Sequence, residues 1–193
     1  MKGRIDVAGC YVVTLKFDAV SKERSLLEVV SAFNDLCRLI KEKKSPRDLI
    51  STANLLVQAF GAEISVLARL LPNLCLILPQ LKKTDTNNFS NADRMNIQSV
   101  DFVLQRFMRV VSSASNPVML FLDDLQWCEY EAMAVIEGIL SDKEGSGFFF
   151  VGSYRSNEVE YGHCIYRFMD NLDQCNIPST KLNLFGIKYN DRE

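Results

Sequence analysis

Two hydrophobic periods run along this chain, and they sort it into strands and helices. Tyr11-Val12-Val13-Thr14-Leu15-Lys16-Phe17 is β-branched and aromatic and predicts a strand. Val118-Met119-Leu120-Phe121-Leu122 is a continuous apolar run, the pattern of a buried parallel strand, and it ends in two adjacent carboxylates, Asp123 and Asp124. Phe148-Phe149-Phe150-Val151-Gly152 predicts a second buried strand, ending in Ser153-Tyr154-Arg155. Leu26, Val29, Val30, Phe33, Leu36, Cys37 and Ile40 recur at helical spacing. Ser45-Pro46 ends that helix and opens another through Leu49, Ile50, Ala53, Leu56, Val57 and Phe60, with Gly61 as its stop. Further helices are predicted over Ile64 to Leu71, stopped by Pro72, and through Val100, Val103, Leu104, Phe107, Met108 and Val111. Two more run over Ala132 to Leu140 and Tyr166 to Leu172. Gln80 to Asp93 is polar without an apolar period and predicts a loop; Leu182-Asn183-Leu184-Phe185 is a candidate last strand. Strands alternating with helices argue an α/β fold with a parallel sheet.

Composition narrows the class. The chain has 193 residues, 48% apolar and 24% charged, enough for one sizeable core. A net charge of −2 offers no electrostatic reason to expect a nucleic acid or an anionic membrane as partner. Six cysteines at wide, irregular spacings, none in C-x-x-C, point to reduced thiols and a cytoplasmic protein rather than to disulfides or zinc. No apolar signal segment follows Met1, and the longest apolar runs are far shorter than a membrane span.

The candidate chemistry gathers where strands end. Ligands of open parallel sheets collect at the carboxyl ends of the strands. Asp123 is placed there to hold Mg²⁺ through water, and Asp124 to orient or deprotonate an attacking water. The bland alternative is that both acids cap the following turn. Arg155 stands just past the other buried strand and can bind a terminal phosphate at the same edge; equally it can pair with Glu158 or Glu160. Gln126 and Trp127 line the site or a partner surface, although a lone Trp after a strand more often packs. His163, the only histidine, excludes a multi-histidine metal site, and its neighbour Cys164 does not make a catalytic dyad by adjacency. Lys16 faces the site or is a solvated strand end. The chain contains no Gly-Lys dipeptide and hence no G-x-x-x-x-G-K-[ST] phosphate loop.

In these motifs the chain resembles the AAA-type ATPase module (origin-recognition-like) of large signalling proteins. These include multidomain serine/threonine kinases, sensor histidine kinases and regulators related to signal-transduction ATPases with numerous domains. Gly9 to Asp18 resembles the family's second-strand segment, with Leu15 where the family's G-K-F-D has Gly. Ala32-Phe33-Asn34-Asp35-Leu36, Leu70-Leu71-Pro72-Asn73-Leu74 and Gln105-Arg106-Phe107 resemble its intervening A-F-x-x-L, I-P-E-L and N-R-F segments. Leu120 to Trp127 matches the Walker B block L-F-L-D-D-L-Q-W, and Gly152 to Val159 the block G-x-Y-R-x-N-E-V. The last two blocks together carry most of the specificity.

The resemblance implies a P-loop NTPase-like parallel sheet flanked by helices, ordered 5-1-4-3-2, with the first strand and P-loop missing. It implies a single partial domain over residues 1–193, running from the second strand to the fifth. It also implies ATP and Mg²⁺ as ligands, Asp123 as the Mg²⁺-associated acid, Asp124 as the water-orienting acid and Arg155 as the phosphate-sensing arginine. The expected function is a partial ATP-binding switch module of a signalling protein, inactive alone, whose partners are proteins or other domains of the same protein. The alternative is a degenerate, non-hydrolysing ATPase-like module that serves as a scaffold. A third reading, an unrelated α/β enzyme with an acidic metal site, lacks a nucleophile–base pair.

Overall fold

A computed structural model describes residues 9–20, 22–81 and 97–184. In chain order its elements are β1 (Tyr11–Lys16), α1 (Ser25–Lys43), α2 (Pro46–Phe60), α3 (Ile64–Leu70), α4 (Ile97–Val111), β2 (Val118–Asp123), α5 (Tyr130–Leu140), β3 (Phe148–Gly152) and α6 (Cys164–Gln174). The fold is α/β, with a three-stranded parallel sheet in the order β1-β2-β3.

Register sets which residues share a face. Val12 pairs with Met119 and Met119 with Phe149, while Val13 pairs with Leu120 and Leu120 with Phe150. The chain steps from β1 to β2 to β3 in one direction, so right-handed crossovers carry both intervening helical layers over the same face. Burial follows. Tyr11, Val13, Val118, Leu120 and Leu122 are buried beneath the helices, and Phe150 meets Phe168 of α6 edge to face at 5.7 Å. On the opposite face Val12, Thr14, Met119, Phe121 and Val151 are half-buried and Phe149 is exposed. The sequence pattern predicts β2 and β3 as buried strands; among the described residues, only one face of the sheet carries helices.

The helices form where the apolar period predicts them. α1 packs on β1, and α5 contacts α4, α6 and α1. α2 begins as its sequence indicates: Pro46 takes the first turn, the Ser45 Oγ accepts the Asp48 N–H at 3.2 Å, and Gly61 ends it at φ +51°. Its apolar stripe is wider than the face it buries, since Leu49, Leu56 and Phe60 are in the core while Ile50 and Val57 are exposed. Pro46–Leu70, taken as one run, is long and apolar enough to cross a membrane by length and composition, although polar residues interrupt it throughout. Here the 3₁₀ turn Gly61–Glu63 breaks it, Glu63 pairs with Arg106 at 2.6 Å, and Leu67 and Leu70 lie in the core.

The candidate strand at Leu182 is not one. Residues 182–184 pair with no strand, and Leu182 and Leu184 are 80% and 94% exposed; Phe185 lies outside the described residues. A strand needs a neighbour to take up its backbone groups, and alternating side chains do not supply one. Of the predicted loop, Gln80 is exposed in a turn, Leu81 packs partly buried against the core, and 82–93 lie outside the described residues. All six cysteines are free thiols.

Two contacts secure the entry to the sheet. The Arg109 guanidinium on α4 clamps Asp142 beyond α5, Nε to Oδ2 at 2.5 Å and Nη2 to Oδ1 at 2.8 Å. Burial pushes the Asp142 carboxyl up, but the Arg109 bonds and the Glu144 and Gly145 amides outweigh it and hold the group below the usual carboxylate range. Gly147 has φ +73°, and its carbonyl accepts the Val118 N–H at 2.7 Å; a Cβ there would stand 2.2 Å from the Ser113 carbonyl oxygen.

Gly147→Ala should therefore destabilise the chain by roughly 1–3 kcal/mol through overpacking and strain, read from urea unfolding. Asp142→Asn should cost about 1–2 kcal/mol at neutral pH. A depressed carboxyl stabilises above its unfolded pKa and loses that contribution as pH falls through the folded value, so the Asn variant and the wild type should converge below about pH 4. A constant gap from pH 7 to about pH 3 would contradict the clamp.

Candidate functional site

Register brings the first three site residues together. Lys16 and Asp123 are lateral partners at the ends of β1 and β2, and Leu122 pairs with Gly152, which puts Ser153 beside Asp123 on the other flank. The Lys16 Nζ donates to Asp123 Oδ2 at 2.9 Å, and the Ser153 hydroxyl donates to Asp123 Oδ1 at 2.5 Å. The Lys16 ammonium also contacts Asp124 Oδ2, so a single cation bridges both acids.

Asp124 is placed by its backbone. It sits at φ +58°, ψ +48°, the left-handed region that Asp tolerates better than most side chains, and there the strand breaks into the 3₁₀ turn Leu125–Trp127. The turn is pinned by Leu125 N–H to Ser153 O at 2.9 Å. Gly152 makes room for it, because a Cβ would fall 2.4 Å from Leu125 Cδ1. The Asp124 side chain does not cap the turn, as the bland alternative expects; it is buried, and Asp123 Oδ1 accepts the Asp124 N–H at 3.1 Å instead.

Arg155 reaches the same edge. Its Nε lies 3.6 Å from Asp124 Oδ1, and its Nη1 donates to Glu158 Oε1 at 2.8 Å. Of the two alternatives for Arg155, the pairing with Glu158 is made, and the guanidinium also reaches the edge at which the phosphate is expected. Gln126, 3% exposed, joins the two sides: its Nε2 donates to Asp124 Oδ1 at 3.1 Å and to Glu158 Oε2 at 3.0 Å, while its Oε1 accepts the Arg155 N–H at 3.3 Å. Trp127 packs partly buried against the core. His163 bonds the Gln126 carbonyl through Nε2 at 3.1 Å and caps α6 through Nδ1, which accepts the Ile165 N–H. Burial raises the Cys164 thiol, the opposite of an activated nucleophile.

Charge is concentrated and internally compensated. The bond from Lys16, then that from Ser153, holds the Asp123 carboxyl below its ordinary value; Lys16 is also the main cause of the lowering at Asp124, with Gln126 adding to it. Both acids raise Lys16 in return, and Glu158 chiefly raises Arg155. Both carboxylates are ionised at neutral pH.

The donor set of two carboxylates and a hydroxyl is hard oxygen, the chemistry of Mg²⁺, which commonly takes one or two carboxylates and completes its shell with water and phosphate. The bridging ammonium marks where a cation is stabilised. No group of three or more His, Cys, Asp or Glu side chains able to hold a metal occurs among the described residues, so a metal here would depend on water or a ligand for the rest of its shell. Two surface hollows, one around Ser112, Asp142 and Phe148 and another around Asp101 and Gln105, lie away from the acids. Sequence reasoning named Asp123, Asp124, Arg155 and Gln126, left Lys16 open, and missed Ser153. The signal for Ser153 was its place one residue past a strand end, as for Asp124.

Comparison with known proteins gives one thread. The hybrid signal transduction histidine kinase G of Dictyostelium discoideum is 30% identical over 129 residues, 63% of this chain and 3% of that protein. The chain therefore spans a small fraction of the relative it matches, and the similarity is to a signalling protein. No protein-family model matches the chain, and no solved structure does.

Gln126→Leu should destabilise the chain by about 1–3 kcal/mol, because it leaves the buried Asp124 Oδ1 and the Glu158 Oε2 without their amide donor. Denaturant titration measures it; an unchanged midpoint would mean that water replaces the amide at no cost.

Proposed function

We propose that this chain is a partial ATP-binding switch module of a signalling protein, carrying a Walker B strand and a sensor arginine without the phosphate loop. In this reading Asp123 is the Mg²⁺-associated acid, Asp124 orients the attacking water, and Arg155 reads the terminal phosphate. The observation that carries it is the meeting of Asp123, Asp124 and Arg155 at the carboxyl edge of one parallel sheet, from segments about thirty residues apart. The order β1-β2-β3 supports it as well, being that of strands two, three and four in the AAA-type arrangement. The similarity to a signal transduction histidine kinase supports the signalling context.

The chemistry follows from the residues. A divalent ion on Asp123 would neutralise phosphate charge, and Asp124, ionised and held by Gln126, is suited to accept a hydrogen bond from water. Arg155 is held loosely by Asp124 and firmly by Glu158, so a phosphate competes with Glu158 for its guanidinium. Without backbone amides and a lysine to cradle the β- and γ-phosphates, binding by this chain alone is weak. The partners are other domains or proteins that respond to the arginine's two positions.

Upstream in-frame sequence encoding a strand followed by G-x-x-x-x-G-K-[ST] is the first expectation. Calorimetry on a chain extended to include it should give saturable Mg·ATP binding far tighter than that of the 193-residue chain. Asp123→Ala should abolish that binding, and Asp124→Asn should retain it while stopping hydrolysis. Binding that is indifferent to Asp123→Ala, or upstream sequence without such a loop, would discard this reading in favour of a non-hydrolysing scaffold.

A further inference from the structure

Lys16 is the residue of this site that the reading above leaves without a task. Its place is not accidental to the fold: β1 and β2 are in register from Tyr11 opposite Val118 to Lys16 opposite Asp123, so the last β1 side chain on the open face lies against the first acid. From there one ammonium reaches Asp123 Oδ2 at 2.9 Å and also contacts Asp124 Oδ2. Two adjacent carboxylates repel each other, and the position between their inner oxygens is where a cation gains most. Lys16 holds that position.

The other nearby cation is differently committed. The Arg155 Nε is 3.6 Å from Asp124, and its Nη1 is 2.8 Å from Glu158. The Lys16 side chain is 62% exposed, on a flexible four-carbon stem, and can return its ammonium to water. Asp123 has its Ser153 bond and Asp124 its Gln126 bond from groups other than Lys16, so each carboxylate retains an anchor of its own when the lysine leaves.

We propose that Lys16 is a resident counter-ion for the Asp123–Asp124 pair, which a divalent cation must displace, so that lysine departure and metal entry are one exchange. The proposal rests on Asp123 being the metal-associated acid. It assigns Lys16 two consequences: it keeps the acids compensated when no metal is present, and it lowers the site's affinity for a divalent ion. Once released, its ammonium stands free at the edge where an anionic ligand of the metal would lie.

The test uses Mn²⁺ alone with the 193-residue chain, free Mn²⁺ being counted by electron paramagnetic resonance. Lys16→Met should bind Mn²⁺ about tenfold or more tighter than the wild type, the scale of one solvent-screened charge contact. Lys16→Arg should stay near the wild type, and adding Asp123→Asn to Lys16→Met should abolish the gain. Circular dichroism checks that each variant folds; if Lys16→Met does not, the wild type still answers. Saturating Mg²⁺ should speed reductive methylation of Lys16 several-fold, read by mass spectrometry, with Lys143 on the surface as internal control. Equal Mn²⁺ affinity in the wild type and Lys16→Met, or Lys16 reactivity unmoved by Mg²⁺, overturns the exchange. Failure of Mg·ATP to bind the upstream-extended chain while the Lys16→Met gain persists would instead discard the nucleotide reading and leave the exchange standing.

Discussion

The lateral register of β2 is the constraint on which the structure depends. Among the described residues β2 is the strand with a neighbour on each side, so its backbone fixes two ladders at once. Side chains alternate with a period of two, and a slip of one residue on either flank would carry every apolar side chain to the wrong face. The same slip would take Lys16 or Ser153 away from Asp123. Packing therefore protects the site's geometry: Val13, Leu120 and Leu122 cannot stay under the helices unless Lys16, Asp123 and Ser153 stay in line.

From that line the chain builds a small polar network that is closed on itself. Asp124 takes a left-handed backbone conformation that most side chains avoid, and it holds there because Ser153 and Gly152 receive the turn that follows. Gln126 then spans from Asp124 to Glu158 and to the Arg155 backbone. Asp124, Glu158 and the Arg155 backbone each lie one hydrogen bond from Gln126, so a change at one of these reaches another through at most two. The network also lies in two strand ends and the turns after them, with no part supplied by a helix interior, so local rearrangement need not disturb the core.

Sequence reading went furthest where one residue type carries a physical cost. Adjacent acids at the end of an apolar strand demand compensation, and an arginine just past the next strand is a natural source. Both were legible, as were the helices over Ser25–Lys43 and Ile97–Val111, whose apolar stripes are long. Ser153 was not legible because a serine after a strand costs nothing, and its place one residue past the strand end gains meaning only with the register. Lys16 remained open for the same reason: only pairing with β2 shows on which side of a strand end a lysine lies. The pattern at Leu182 misled, since alternation describes a strand's faces and not whether an edge awaits it. His163 shows the converse, a residue for which the sequence offered only the exclusion of a metal site and a dyad, yet it both caps α6 and bonds the Gln126 carbonyl.

The outer edge of β3 has a consequence beyond chemistry. Phe148, Phe150 and Gly152 turn their backbone groups away from β2, while Phe149, 61% exposed, stands on the uncovered face. Natural sheets guard such borders with lysine, proline or a bulge, and Phe148–Gly152 carries none of these. A five-residue uncharged aromatic border is the kind of template on which foreign strands add, copies of the same chain included. Among the described residues no strand takes up those backbone groups, so concentration is the condition that would bring a second copy to this border.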